Sequence, residues 1–238
     1  MRCWGCGADA PGGAACPECG RLQAFPAGAD HWAVLGLDRC LSLDRADLER
    51  RFHELNRRFH PDYFRLRSPE EQAISLENSA AVNAAYRMLR DPVGRVEYLL
   101  EREGMALGTA GQAESAPGAD GRMAGRGSGA DETRKPPADL FEEIMELQEA
   151  RQELEAAGPD APDELRSRLE AARAELEERR QGTEAELAAL FPRWDAAHDA
   201  ERRRLLGQMR DILATRAYLK TILRDLGATL ETVSGRTE

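Results

Sequence analysis

Leu48, Phe52, Leu55 and Phe59 recur at i, i+4, i+7 and i+11, and Pro61 follows two residues later. Apolar residues at this spacing fall on one face of an α-helix, so "DLERRFHELNRRFH" (47–60) is predicted to be helical with those four on its buried face. Proline has no N–H and restricts the residue before it, so the helix must end at or near His60. A second start follows at once. Ser68 is an N-cap, Pro69 suits the first helical position, and Glu71 completes a capping box. Leu76, Ala80, Asn83, Tyr86 and Leu89 give this second helix its expected inner stripe, and Asp91-Pro92 opens a third that ends at Gly104. Two antiparallel helices therefore carry His60, Pro61 and Asp62 on an exposed joining loop. A helix stop needs only Pro or Gly, so the histidine and the carboxylate call for another explanation.

Helical patterning returns near the C-terminus. Leu140, Ile144, Leu147 and Leu154 share one face of a helix, with Arg151 intruding. Leu165, Leu169, Ala172, Leu176, Leu187 and Leu190 stripe a second, in which Gly182 is a potential kink. Leu205, Met209, Ile212, Leu219, Leu223, Leu226 and Leu230 stripe a third. Three such helices make an antiparallel bundle. Between the two helical regions, residues 108–129 contain seven glycines and almost nothing large and apolar. That composition cannot offset backbone entropy, so 105–136 is expected to be a flexible linker. The fold class is all-α, divided into 1–26, 30–104, 105–136 and 137–230.

The first division holds "CWGCG" and "CPECG", two copies of Cys-x-x-Cys-Gly. Two intervening residues let both thiolates of a pair face one ion, and the glycine permits the left-handed turn that follows. Cys3, Cys6, Cys16 and Cys19 suit one tetrahedral zinc with no open position, hence a structural zinc, with disulfides as the alternative. Cys40 stands apart at an apolar position and is expected to pack.

The formal net charge of −10 makes the chain a poor general binder of nucleic acid. No apolar run approaches the ~18 residues of a membrane span. The N-terminal residues resemble neither a secretion signal nor an import leader. Against the acidic balance, 50–60 holds four arginines (Arg50, Arg51, Arg57 and Arg58) and one Glu. This local excess points to an acidic partner. Phe141 and Met145 lie roughly 100–140° round from Leu140, and Tyr218 about 140° from the centre of its helix's stripe. They are either scattered surface apolars or one partner-binding patch.

"DHWAVLGL" (30–37), the basic helix, "HPD" (60–62) and "NAAYRMLRDPVGRVEYLL" (83–100) together resemble a J-domain. Phe64 and "RDPVGRVEYLL" resemble more narrowly the HscB family of iron–sulfur cluster co-chaperones. The cysteine head is similar to the tetracysteine extension of its eukaryotic-type members, and "LFEEIMELQEARQEL" (140–154) to the start of its C-terminal domain. The resemblance implies a non-enzymatic protein. His60, Pro61 and Asp62, with the four arginines, would engage a DnaK/HscA-type chaperone and stimulate its ATPase. Phe141, Met145 and Tyr218 would hold an IscU-type scaffold, although Glu142 stands where an apolar residue is common. Delivery of a different client to the same kind of chaperone is the alternative. Self-association through the cysteine segment is a further expectation, as is a bacterial cytoplasmic location, with the mitochondrial matrix as the alternative. A zinc-ribbon nucleic-acid binder fits the charge poorly. A plain coiled coil leaves the His-Pro-Asp loop without a purpose.

Overall fold

Asp44 starts the first long helix, its carboxylate accepting the Ala46 N–H at 2.9 Å. In the computed structural model, which describes residues 2–10, 15–106, 141–158 and 161–234, this helix spans Arg45–Phe59 (α2). It is preceded by the short α1, His31–Val34, whose N-cap is Asp30. A 3-10 turn, Pro61–Phe64, leads to α3, Pro69–Arg90, and then to α4, Pro92–Arg102. Three further helices follow: α5, Phe141–Ala157; α6, Asp163–Ala196; and α7, Asp199–Ser234. The described residues hold no extended strand beyond two isolated bridges, Arg2 with Asp9 and Ala15 with Leu22. The expected caps form. Ser68 Oγ accepts the Glu71 N–H at 3.3 Å, and the Asp91 carboxylate accepts the Gly94 N–H at 3.1 Å. Gly104, at φ 69°, ends α4. Of the expected linker, 107–136 lie outside the described residues.

The chain divides into two compact units. The first comprises Met1–Tyr98 with Phe191–Ala196; the second comprises Leu99–Leu190 and Ala197–Glu238. The first unit thus unites the cysteine segment with the hairpin and takes in the C-terminal end of α6, which the sequence boundaries give to the bundle. Trp32, Leu35, Leu41, Leu48, Phe59, Val82, Ala85 and Leu89 form its buried interior. Phe52 stacks on Tyr86 with centroids 4.2 Å apart, joining α2 to α3. The Asp195 carboxylate accepts the Leu41 and Ser42 N–H groups at 2.7 and 2.8 Å. Arg95, buried, donates to the Leu89 carbonyl at 2.8 Å and to the Leu41 carbonyl. These bonds satisfy backbone groups around the buried Leu41, in a loop that has no ladder to join.

The inner stripe of α3 differs from the apolar pattern. Leu76 is 62 % exposed, and Ser75, Asn78, Val82, Ala85 and Leu89 are the buried residues. Ser75 and Asn78 can be buried because each is hydrogen-bonded: Ser75 Oγ donates to the Phe59 carbonyl at 2.8 Å, and Asn78 Nδ2 to the Gln23 carbonyl at 2.8 Å. A hydrophobicity pattern scores both as surface and so rotates the face.

The second unit is the three-helix bundle. Ile144, Leu147, Ala150 and Leu154 of α5 pack with Leu165, Leu169 and Leu176 of α6 and with Leu219, Leu226 and Val233 of α7. Arg216 pairs with Glu184 at 2.7 Å, while Gly227, further along α7, lies beside Arg173, earlier on α6, so these two helices run antiparallel. Arg151, the intruder on the apolar face of α5, is half-buried and pairs with Glu155 at 3.5 Å. Gly182 does not break α6.

Candidate functional site

The His-Pro-Asp loop rests on a fixed stem. Phe59, fully buried, meets Phe25 edge-on at 5.3 Å, and its carbonyl, released by the end of α2, is taken up by Ser75. Gln72 Nε2 donates to the Arg65 and Arg67 carbonyls, fixing the far side of the loop to α3. His60 has the extended backbone (φ −61°, ψ 125°) that a residue before proline favours. Its Nδ1 accepts the Asp62 N–H at 3.3 Å, so the neutral ring carries its proton on Nε2. The rings of His60 and Tyr63 meet edge-on at 6.0 Å. His60, Asp62 and Tyr63 are exposed while the backbone beneath them is held. Asp62 is already paired, its Oδ1 lying 2.6 Å from Arg65 Nη2. The two side chains are 56 % and 75 % exposed, and such surface pairs contribute about 0–1 kcal/mol, so a partner's cation can displace Arg65 at small cost.

The four arginines are not equivalent. Arg50 pairs with Asp47 and, at 2.9 Å, with Glu54. Arg51 binds Asp47 at 2.8 Å and the Gly36 carbonyl at 2.7 Å. Hydrogen bonds from Arg51 and then Arg50 hold the Asp47 carboxyl below its ordinary range. Asp47 lies outside the 50–60 stretch, so a count over that stretch overstates the free positive charge. Arg57 donates to the His53 carbonyl of its own helix, and neither Arg57 nor Arg58 joins an ion pair among the described residues. The unspent charge therefore sits at the end of α2 nearest the loop.

The cysteines converge as their spacing predicts. Each Cys-x-x-Cys-Gly closes a tight turn: the Gly7 N–H bonds the Cys3 carbonyl at 3.0 Å, and the Gly20 N–H bonds that of Cys16 at 2.9 Å, with φ 74° and 69° at the two glycines. All four sulfurs lie within 4.8 Å of one another, with Cys3 to Cys19 at 3.6 Å and Cys6 to Cys16 at 3.7 Å. A disulfide needs about 2.05 Å. Four thiolates at about 2.3 Å from one tetrahedral ion lie about 3.8 Å apart, which these distances match. Burial opposes ionisation of Cys3, but the N–H groups of Gly5 and Cys6 and the thiols of Cys19 and Cys16 outweigh it and bring it down to about 6. At Cys6 the Ala8 N–H favours the thiolate, yet Cys19, burial and the other thiols push the group up to about 12. One negative charge is welcome here and further ones need a cation among them. The four residues fit a metal ion. Cys40 lies apart, half-buried, its thiol raised chiefly by burial.

The described residues do not present the three apolar residues of the bundle alike. Met145 is 44 % exposed on α5. Tyr218, in contrast, is half-buried against the bundle core, and burial raises its phenol above the ordinary value. Leu219, Leu226 and Val233 recur every seven residues, so the seam follows a 3.5-residue period and the position before Leu219 flanks it. Tyr218, at the edge of the stripe, still packs against the core, contrary to the expectation that it projects away from it. The side chain of Phe141 lies outside the described residues.

No protein-family model matches the chain. The co-chaperone protein HscB homolog of Bordetella petrii is 33 % identical over 125 residues, covering 52 % of this chain and 74 % of that protein. The chain belongs to the HscB co-chaperone family. The iron-sulfur cluster co-chaperone protein HscB of Homo sapiens is 37 % identical over 110 residues, 44 % of this chain. The chain spans about half the length of that human HscB, 47 %. The crystal structure of human HscB shares the fold at a TM-score of 0.62 and 23 % identity, over 96 % of this chain and 98 % of that one. Chaperone HscB from Vibrio cholerae matches at a TM-score of 0.51.

Proposed function

We propose that this HscB-family chain is a co-chaperone of iron–sulfur cluster biogenesis that performs no chemistry of its own. The J-domain, 30–104, engages a DnaK/HscA-type chaperone through His60, Pro61 and Asp62 and stimulates its ATPase. Arg57 and Arg58 supply most of the attraction for an acidic chaperone surface, and Arg50 and Arg51 contribute less because they are paired within α2. The bundle, 137–230, binds an IscU-type scaffold with Met145 as the exposed anchor and with Phe141 and Tyr218 beside it. One structural zinc at Cys3, Cys6, Cys16 and Cys19 closes the N-terminal segment, and the chain works in the bacterial cytoplasm. The single observation that carries this reading is the His-Pro-Asp loop of an HscB-family chain, its backbone tied to α3 by Ser75 and Gln72 while its side chains face solvent. Delivery of a different client is the second reading, and the burial of Tyr218 favours it by narrowing the exposed apolar surface of the bundle.

The test is steady-state ATP hydrolysis by a DnaK/HscA-type chaperone with this chain, with an IscU-type scaffold, and with both. Stimulation beyond the sum of the separate effects is expected when both are present. Stimulation by the chain that the scaffold leaves unchanged would favour another client.

A further inference from the structure

Gln23 is a polar side chain only 3 % exposed, and it reaches the cysteine cluster. Its Nε2 donates to Cys3 Sγ at 3.4 Å, sharing its protons with the Arg21 and Leu22 carbonyls, each at 3.0 Å. The main chain of the same residue faces the other way. The Gln23 carbonyl accepts from Asn78 Nδ2 at 2.8 Å, and Asn78 Oδ1 accepts the Phe25 N–H at 3.2 Å. Asn78 is 2 % exposed on α3, one turn beyond Ser75, which holds the Phe59 carbonyl beneath the His-Pro-Asp loop. Phe25 itself meets Phe59 edge-on at 5.3 Å. Hydrogen bonds thus run from one sulfur of the cluster to Asn78 and Phe25, and the ring contact of Phe25 with Phe59 carries the connection to the stem of the loop.

We propose that Gln23 is a positioning residue for the metal held by the four cysteines, and that through Asn78 the occupancy of that site stabilises the stem on which His60 stands. Two physical arguments support this. A buried N–H donor aimed at a thiolate orients it and is satisfied most fully when the sulfur is charged, the state in which a metal holds it. Coupling is reciprocal, so whatever the metal adds to the stem's stability the folded stem returns as metal affinity. Among the described residues of this segment, 2–10 and 15–25, the buried apolar residues are Cys3, Ala10, Cys16 and Leu22, a small core to which a metal at one end and Asn78 at the other would add order.

The proposal rests on the metal reading of the cysteines, and the experiment separates the two. Full-length chain is prepared metal-free under reducing conditions and titrated with Zn²⁺ or Co²⁺ against a competing chelator, as wild type, Gln23→Leu and Asn78→Ala. Hydrogen exchange of the amides from Phe59 to Phe64 is followed with and without Zn²⁺. Gln23→Leu keeps its backbone carbonyl for Asn78 and loses the side-chain donor to sulfur and to the Arg21 and Leu22 carbonyls. It is expected to weaken metal affinity roughly tenfold or more and to shift the sulfur-to-cobalt charge-transfer band. In wild type, Zn²⁺ is expected to slow exchange in the loop stem. Asn78→Ala should retain the wild-type cobalt band and lose that slowing. If Asn78→Ala does not fold, the wild-type exchange and the Gln23→Leu titration decide. Wild-type affinity and an unchanged cobalt band in Gln23→Leu, or exchange at the stem indifferent to Zn²⁺, overturn the proposal. A wild type that binds neither ion overturns the metal reading and the proposal with it.

Discussion

Replacing Ser75 by alanine perturbs the loop stem at a single bond. The hydroxyl is fully buried and donates to the Phe59 carbonyl at 2.8 Å, and no solvent reaches it to replace the donor. An unsatisfied buried acceptor costs about 1–3 kcal/mol. Alanine is the better helix former, which returns no more than about 0.5 kcal/mol. A net loss of about 1–2 kcal/mol in a unit of this size corresponds to a fall in melting temperature of roughly 5–15 °C. Ser79→Ala, on the same helix and half-buried, serves as the control for helix propensity and is expected to melt at or slightly above wild type. The assay is thermal unfolding followed by circular dichroism, with hydrogen exchange of the residues after Phe59 as the local readout. A Ser75→Ala protein that melts as high as Ser79→Ala, with unchanged exchange at the loop, refutes the argument that this bond holds the stem.

Tyr218→Ala is expected to destabilise the bundle by about 1–3 kcal/mol, since it removes a half-buried ring packed on the core. Met145→Ala should melt like wild type and weaken scaffold binding by roughly ten- to a hundredfold, as loss of an interface anchor does; calorimetric titration with thermal melts reads both, and the opposite assignment of the two effects contradicts the packing described. Native mass spectrometry of reduced protein is expected to find one zinc per chain, absent from Cys3→Ser and Cys16→Ser and retained in Cys40→Ser, so a metal-free wild type counts against the site. Hydrogen bonds from Arg180 and then Gln181 depress the Glu177 carboxyl from 4.5 to about 2. Its contribution to stability is therefore complete above the ordinary value and is lost as pH falls through 4.5 toward 2. Glu177→Gln should flatten the acid side of the melting-temperature profile, and identical profiles would show that the pair adds nothing.

Elements governed by local chemistry were legible in the sequence. Pro61 and the capping box at Ser68 set the loop, and two Cys-x-x-Cys-Gly turns set the cluster, because each depends on residues a few positions apart. What remained hidden depends on partners far along the chain. The burial of Ser75 and Asn78 is explained only by carbonyls of Phe59 and Gln23, 16 and 55 residues away. Asp195 reaches Leu41 across 154 residues, and no pattern in either segment announces it. Arg50 and Arg51 read as free charge until Asp47, outside the stretch considered, is seen between them. Tyr218, about 100° round from Leu219, reads as surface on a helical wheel, and only the neighbouring helices show that it packs against the core.

The His-Pro-Asp loop is proposed to act on a chaperone while contributing little to the fold. The direct measurement is steady-state ATP hydrolysis by a DnaK/HscA-type chaperone with wild type and with His60→Gln, beside far-UV spectra and melts of both proteins. His60 is exposed, and glutamine can still accept the Asp62 N–H, so helicity and melting should be nearly unchanged. Wild type is expected to stimulate hydrolysis and His60→Gln is not. Full stimulation by a folded His60→Gln protein would contradict it.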